Sequence, residues 1–343
     1  MKRSLVCWLC TIVLAGWVAG ASAQTVWKFS TWVPPTHPIV ELVWKPWMAQ
    51  VEKATQGRVR IEMIPPLGTP QAHYDLVRNG IADVGNVSIA YTANRFPLIG
   101  GMELPLMSDS TLAVSVAAWR TYERFLEPAD EFRGVKLASI MIAGPYHIFT
   151  TEKRIERVAD FKGMKLRESG GISKEVVERL GGTPFFAPSP QVYDVLSRGV
   201  ADGVLYATEA IVGFNVTKAV RHALEVPGGI HQSAQAMLIN EAKWKALPPQ
   251  DQAAIEKTMG ESFARLWGEA WAKTTASANE ILRKEGVEFR TASGSLLEEI
   301  QRKLAPLDEQ WIAAAKKKKV DGEAALAFMR AEIKRIEAQV EKR

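Results

Sequence analysis

The chain is expected to fold as an α/β protein of two similar lobes, with a cleft between them and one long helix bridging both. Three observations predict this. Strand-like and helix-like segments alternate through residues 26–87 in β-α-β-α-β order, which builds a parallel sheet with helices on its faces. The phrase Gly80-Ile81-Ala82-Asp83 returns as Gly199-Val200-Ala201-Asp202, each time after a short helix and before a strand. Residues 250–284 carry Ile255, Phe263, Trp267 and Trp271 at helical intervals. A helix of that length is roughly 50 Å long at 1.5 Å per residue.

The first segment to account for is 1–23. Lys2 and Arg3 precede an apolar run over 5–18, and Ala21-Ser22-Ala23 has the small-residue pattern of a cleavage site. It reads as a signal peptide removed after Ala23, which leaves Gln24 first and sends the protein to the periplasm. The run falls short of the roughly 20 apolar residues that span a bilayer, and no later segment reaches that length. The two cysteines, Cys7 and Cys10, both lie in this segment. The mature chain therefore has no thiol or disulfide, and its stability must come from its core.

A strand is expected over 26–31, stopped by Pro34 and Pro35. A helix over 40–55 closes at Gly57, where glycine suits the end of a helix. Then come a strand over 59–64, a turn at 68–71, a helix over 72–79 and a strand over 82–87. In the second half, strands over 136–143 and 146–150 flank Gly144 and Pro145. Asp160 and Gly163 form a turn before a strand over 164–167, followed by a helix over 174–180 with Ser173 as its cap. A strand over 183–187, a helix over 190–198 and a strand over 201–206 repeat the first pattern. The remainder reads as a strand over 236–239, a helix over 241–246 ended by Pro248 and Pro249, the long helix, a strand over 287–290 and helices over 296–312 and 323–341. Lobe I is expected to hold 24–145 with about 233–270, and lobe II 146–232 with about 271–343.

The formal charge of +5 falls to +3 once Lys2 and Arg3 leave with the signal. That is too modest for a nucleic-acid partner, and the run Lys316–Lys319 reads as a solvated helix face. The five histidines show no metal-ligand spacing, so no metal is expected. Nucleophile elbows, Walker loops and dinucleotide fingerprints are absent, so no cofactor and no catalytic residue is assigned.

Arg167 lies at the carboxyl end of a strand, beside a helix start, where open α/β sheets bind ligands. Its guanidinium is a fork of donors matched to a carboxylate. Trp32, Tyr146, Tyr206 and Phe214 also fall at or just past strand ends and suit an apolar or aryl ligand body. His37 and His147 are candidates for polar contacts on the same ground. Asn86 and Ser88, after the third strand, are candidates to hydrogen-bond a ligand or cap the next helix. Phe185 reads as core.

Five motifs stand in order along the mature chain: Leu76, Gly80, Asp83 and Gly85; Phe96-Pro97-Leu98 with Leu104-Pro105; Asp160 to Arg167; Val192-Tyr193 with Leu196, Gly199, Asp202 and Gly203; and Asn240, Trp244, Leu247 and Pro248. Together they resemble the solute receptors of tripartite ATP-independent periplasmic (TRAP) transporters. The resemblance implies a type II periplasmic-binding-protein fold, ligand binding without turnover, and delivery of a small organic anion to TRAP membrane permease subunits. Contact with the membrane would be only peripheral. It also implies that Arg167, which closes the family's Lys-x-Arg phrase, pairs with the ligand's carboxylate. Receptors for sialate carry a second Arg on the strand before this motif, where this chain has Gly144-Pro145-Tyr146-His147. They carry Asn-Pro after the Asp-Gly, where this chain has Val204-Leu205-Tyr206-Ala207. Both departures favour a monocarboxylate with an apolar or aromatic body. The alternative is a periplasmic enzyme acting on a small organic acid with the same two-lobed scaffold.

Overall fold

The computed structural model describes residues 24–341; the expected signal peptide lies outside them. β1 (Thr25–Ser30), α1 (Lys45–Ala54), β2 (Val59–Ile64), α2 (His73–Arg78) and β3 (Val84–Ser88) form the first alternation. α3 (Thr111–Thr121) leads to β4 (Val135–Thr150). β5 (Lys165–Glu168), α4 (Ile172–Leu180), β6 (Thr183–Phe186), α5 (Val192–Ser197) and β7 (Gly203–Ala207) form the second. α6 (Thr208–Gly213), β8 (His222–Glu225), β9 (His231–Asn240), α7 (Glu241–Lys245), α8 (Pro249–Glu256) and α9 (Gly260–Lys284) follow. β10 (Glu288–Thr291), α10 (Gly294–Leu304), α11 (Pro306–Lys317) and α12 (Gly322–Val340) complete the described chain.

The main sheet has the order β2-β1-β3-β9-β4-β7-β5-β6. β1 runs parallel to β2 and β3, and β5 parallel to β6 and β7, while β9 and β4 lie antiparallel between the two trios. The order is the same read from either end, as two similar α/β lobes require. The repeated Gly-aliphatic-Ala-Asp phrase does the same work in both. The Asp83 carboxylate accepts from the backbone N–H of Lys28 at 2.8 Å, and the Asp202 carboxylate from that of Lys165 at 2.7 Å. Each Asp thus clips its strand to the first strand of its own trio.

β4 is one strand where the sequence predicts two. Its register against β9 shifts between Ala143 and Pro145, so Gly144 and Pro145 are absorbed as an irregularity rather than a break. Beyond it the strand pairs with β7. β4 therefore reaches the second trio directly.

The helix expected over 250–284 is two helices. Lys257–Met259 interrupt it, and α9 opens at Gly260, whose φ of +58° favours glycine. A side-chain carbon there would lie 2.9 Å from the Trp119 ring. α9 still runs 25 residues, roughly 37 Å, and packs on α3, β4 and α6. The helix expected over 296–312 is also two, because Pro306 has no N–H to continue α10. Ser173 is not the cap of α4. It stands inside the helix, and its hydroxyl accepts from the Ser169 N–H at 3.0 Å.

One core cluster joins β1, α1 and α9 through Phe29, Trp44, Trp47, Phe263, Trp267 and Trp271. Two of its indoles are tied in: Trp267 donates to the Ile142 carbonyl at 2.7 Å and Trp47 to the Thr258 hydroxyl at 3.2 Å. α12 packs on α3; under the division expected from the sequence this is a contact between lobes. No helix among the described residues is long and apolar enough to cross a membrane.

Candidate ligand-binding site

The parallel strands of both trios deliver their carboxyl ends to one interior cavity of about 40 Å³. Its walls are aromatic. Trp32, past β1, stacks on Phe214, past α6, with ring centroids 6.1 Å apart. His37 meets Phe214 edge-on at 5.1 Å and lies 6.3 Å from Trp271 of α9. Tyr206 closes against Phe214 at 6.1 Å and Tyr146 at 5.9 Å. Tyr91 spans the cleft: its hydroxyl accepts from the Ser189 N–H at 2.8 Å, and it lies 5.5 Å from Trp32.

Arg167 is fully buried at the end of β5, with its guanidinium carbon 5.0 Å from the Tyr206 ring centre. It borders the cavity through that ring. Nε donates to the Ala187 carbonyl at 2.7 Å and Nη1 to the Leu205 carbonyl at 3.4 Å, so strands on both sides of β5 aim the fork. Nη2 has no partner within the protein. The Trp32 indole nitrogen, the Asn86 side-chain oxygen, the Tyr206 hydroxyl and one Glu209 oxygen are also buried and unpartnered around the cavity. Buried polar groups are normally paired, so this concentration marks a place prepared for polar contacts.

The structure brings Trp32, His37, Asn86, Tyr146, Tyr206 and Phe214 into the cavity wall. It does not bring His147 or Ser88 there, and Arg167 is not itself in the wall but adjoins it at the Tyr206 ring. His147 follows Tyr146 on β4, and successive side chains of a strand face opposite ways; its Nδ1 instead accepts from the Val226 N–H at 3.2 Å. Ser88 is buried and makes no cap bond to the 3-10 turn that follows. Phe185 packs partly buried against the core. Tyr91, Ser189, Glu209, Gln235 and Trp271 line the wall without having been singled out. Trp271 was visible in the sequence, but only as one apolar residue in the repeat of α9. No cluster of His, Cys, Asp and Glu suited to a metal occurs among the described residues.

Burial sets the titration of the site. It pushes the imidazoles of His37 and His147 down to about 4, and that of His231 to about 3. It pushes the Glu209 carboxyl up to about 8, and that of Glu103 well above the usual range. A histidine held neutral stabilises the fold fully above 6.5 and loses this as pH falls through the folded value. A carboxyl held protonated stabilises it fully below 4.5 and loses this as pH rises towards about 8. Below 4.5 the depressed imidazoles still bind protons more readily in the unfolded chain, and above 6.5 the raised Glu209 carboxyl still ionises more readily there. Thermal stability is therefore expected to fall as the pH drops below about 4.5 and to fall again between 6.5 and about 8. Melting temperatures across pH 4–9 check this, and a steady rise from 6.5 to 8 contradicts it.

Residues 29–314 match the family described as bacterial extracellular solute-binding protein, family 7 (DctP). A TRAP periplasmic solute-binding protein from Bordetella bronchiseptica, solved with bound (R)- and (S)-mandelate, is similar at 38% identity. That comparison covers 91% of this chain and 100% of the other, with a TM-score of 0.89. A TRAP solute-binding protein from Rhodoferax ferrireducens T118, in complex with copurified benzoate, is 26% identical, covering 92% and 100%, with a TM-score of 0.87. The outer membrane transporter protein TsaT of Comamonas testosteroni is 25% identical over 328 residues, which is 94% of this chain and 97% of that protein. The match runs through both strand trios and the helix that bridges them, and it shares the two-lobed architecture. The chain belongs to family 7 of the bacterial extracellular solute-binding proteins, the DctP receptors of TRAP transport.

Proposed function

We propose that the cleft binds an aryl monocarboxylate and that the protein, exported to the periplasm, delivers it to TRAP membrane permease subunits. The observation that carries this is the Arg167 guanidinium, fully buried, with Nη2 unpartnered and two carbonyls as its hydrogen-bonding partners. A buried cation without a counter-charge is costly, and a ligand carboxylate supplies one in bidentate geometry. The apolar body of the ligand sits among Trp32, Tyr146, Tyr206 and Phe214. The relatives with mandelate and benzoate, and a 28% identical receptor from a marine metagenome with 3-hydroxybenzoate, hold acids of this kind.

A space of about 40 Å³ is several-fold too small for such an acid. Binding therefore involves separation of the walls and closure around the ligand. We place the lobes at 24–145 with about 233–270 and at 146–232 with about 271–343, hinged at β4. Binding is without turnover, in line with a receptor family.

The test is calorimetric titration of the mature protein with benzoate, mandelate, phenylpyruvate, succinate and sialate. Mass spectrometry should follow, both of ligand carried through purification and of each acid after incubation. Aryl monocarboxylates are expected to bind most tightly and to be recovered unchanged. Preference for succinate or sialate overturns the reading of the ligand; chemical conversion of a bound acid overturns the receptor reading. N-terminal sequencing of protein from the periplasm should begin at Gln24.

A further inference from the structure

Glu209 is the acidic side chain in the cavity wall, and the fork of Arg167 does not need it. It is buried, its Oε2 accepts from the Thr275 hydroxyl at 3.2 Å, and its Oε1 has no partner. The groups acting on it, apart from burial, are its own backbone N–H, the Thr275 hydroxyl and the nearby Trp271 indole, whose N–H falls short of a hydrogen bond. None is a cation. His37, which shares the wall, is held neutral by its own burial. A carboxyl so placed keeps its proton at neutral pH, and its side chain lines the space a ligand must enter.

Arg167 and Glu209 border the same aromatic wall, and both act electrostatically on Tyr146. Arg167 touches Tyr206, Tyr206 touches Phe214, Phe214 touches His37, and His37 touches Trp271, beside Glu209. The site thus offers a cation for the carboxylate and, at a second place on the same aromatic wall, an uncharged hydrogen-bonding group.

We propose that Glu209, a buried wall residue with an unpartnered oxygen, is a specificity-determining residue that hydrogen-bonds a ring hydroxyl of the ligand, so that hydroxylated aryl acids are preferred to unsubstituted ones. A protonated carboxyl can both donate to a hydroxyl and accept from one. A ligand without the hydroxyl leaves the buried oxygen unpaired, which is the costly side of the comparison. The inference rests on the aryl-carboxylate reading of the same cavity.

The test is titration of the mature protein with benzoate, 3-hydroxybenzoate and 4-hydroxybenzoate, in sodium-containing and sodium-free buffer. At least one hydroxybenzoate is expected to bind about tenfold more tightly than benzoate. Glu209→Gln, whose amide also donates and accepts, is expected to keep the preference. Glu209→Leu is expected to reduce the ratio to about one while still binding benzoate. Glu209→Met carries the same expectation should the leucine variant not fold. A parent that binds benzoate without any preference overturns the inference and leaves the aryl-carboxylate reading standing. So does a preference that survives in the leucine or methionine variant. Affinity that collapses without sodium overturns it too, because Glu209 would then be a charged cation ligand. If none of the three acids binds the parent, the aryl-carboxylate reading fails and this inference with it.

Discussion

Arg167→Ala is expected to weaken binding of an aryl carboxylate by about two to three and a half decades. Removing one member of a buried, hydrogen-bonded charge pair costs about 3–5 kcal/mol, because the other charge is left uncompensated. The geometry supports a large value: the Ala187 and Leu205 carbonyls hold the fork in place before the ligand arrives, so little orientation is lost on binding. Arg167→Lys is expected to be nearly as damaging, since an ammonium keeps the charge but cannot hold both carbonyls and a bidentate acid. Lys165, two residues earlier on β5, is the control. It is exposed at the strand's start, with its ammonium 5.8 Å from the Phe185 ring centre. Lys165→Ala should change affinity by less than about tenfold, as a solvated charge does. Calorimetry on the three variants decides the matter. An Arg167→Ala protein that folds normally and binds within a few-fold of the parent places the carboxylate clamp elsewhere.

Gly170→Ala is expected to hold the cleft open and to lower affinity by about one to two decades. Gly170 has φ of +97°, and a methyl group there would lie 2.5 Å from the Ala90 carbonyl oxygen. That oxygen is backbone and cannot rotate away. Ala90 follows β3 and Gly170 follows β5, so the contact joins the two trios where Tyr91 meets Ser189. Forcing a non-glycine residue into this region costs about 1–2 kcal/mol wherever it occurs, and Gly181 separates the two effects. Its φ is +95° but nothing lies within 4 Å of the added carbon. Gly181→Ala should therefore lose stability without losing affinity, whereas Gly170→Ala should lose both. Small-angle scattering with saturating ligand should show the compact form for the Gly181 variant only. Normal closure and affinity in Gly170→Ala would falsify the idea that this contact belongs to the closed form.

The alternation of strands and helices, the two trios, and Arg167 at a strand end are all legible in the residue pattern. These are local matters. Period-two and helical patterning are written into neighbouring residues, and the repeated Gly-aliphatic-Ala-Asp phrase marks the same strand pairing twice, as Asp83 and Asp202 show. Tertiary structure decided the rest. Gly144 and Pro145 read as a break, but β4 continues through them because it has partners on both sides of the irregularity. α9 starts at Gly260 because Trp119, distant in sequence, occupies the space a side chain would need. β9 extends back to His231 through a run of polar residues that no strand pattern predicts, since its neighbours β3 and β4 bury it entirely. Tyr146 and His147 both read as ring-bearing residues at a strand end, and the face of β4 each occupies decides that only Tyr146 lines the cavity. Glu209 and Trp271 were the least legible, one a lone acid in an apolar stretch and the other a helix-core tryptophan. Their role depends on α6 and α9 packing together, and no local pattern encodes which side chains that packing brings face to face.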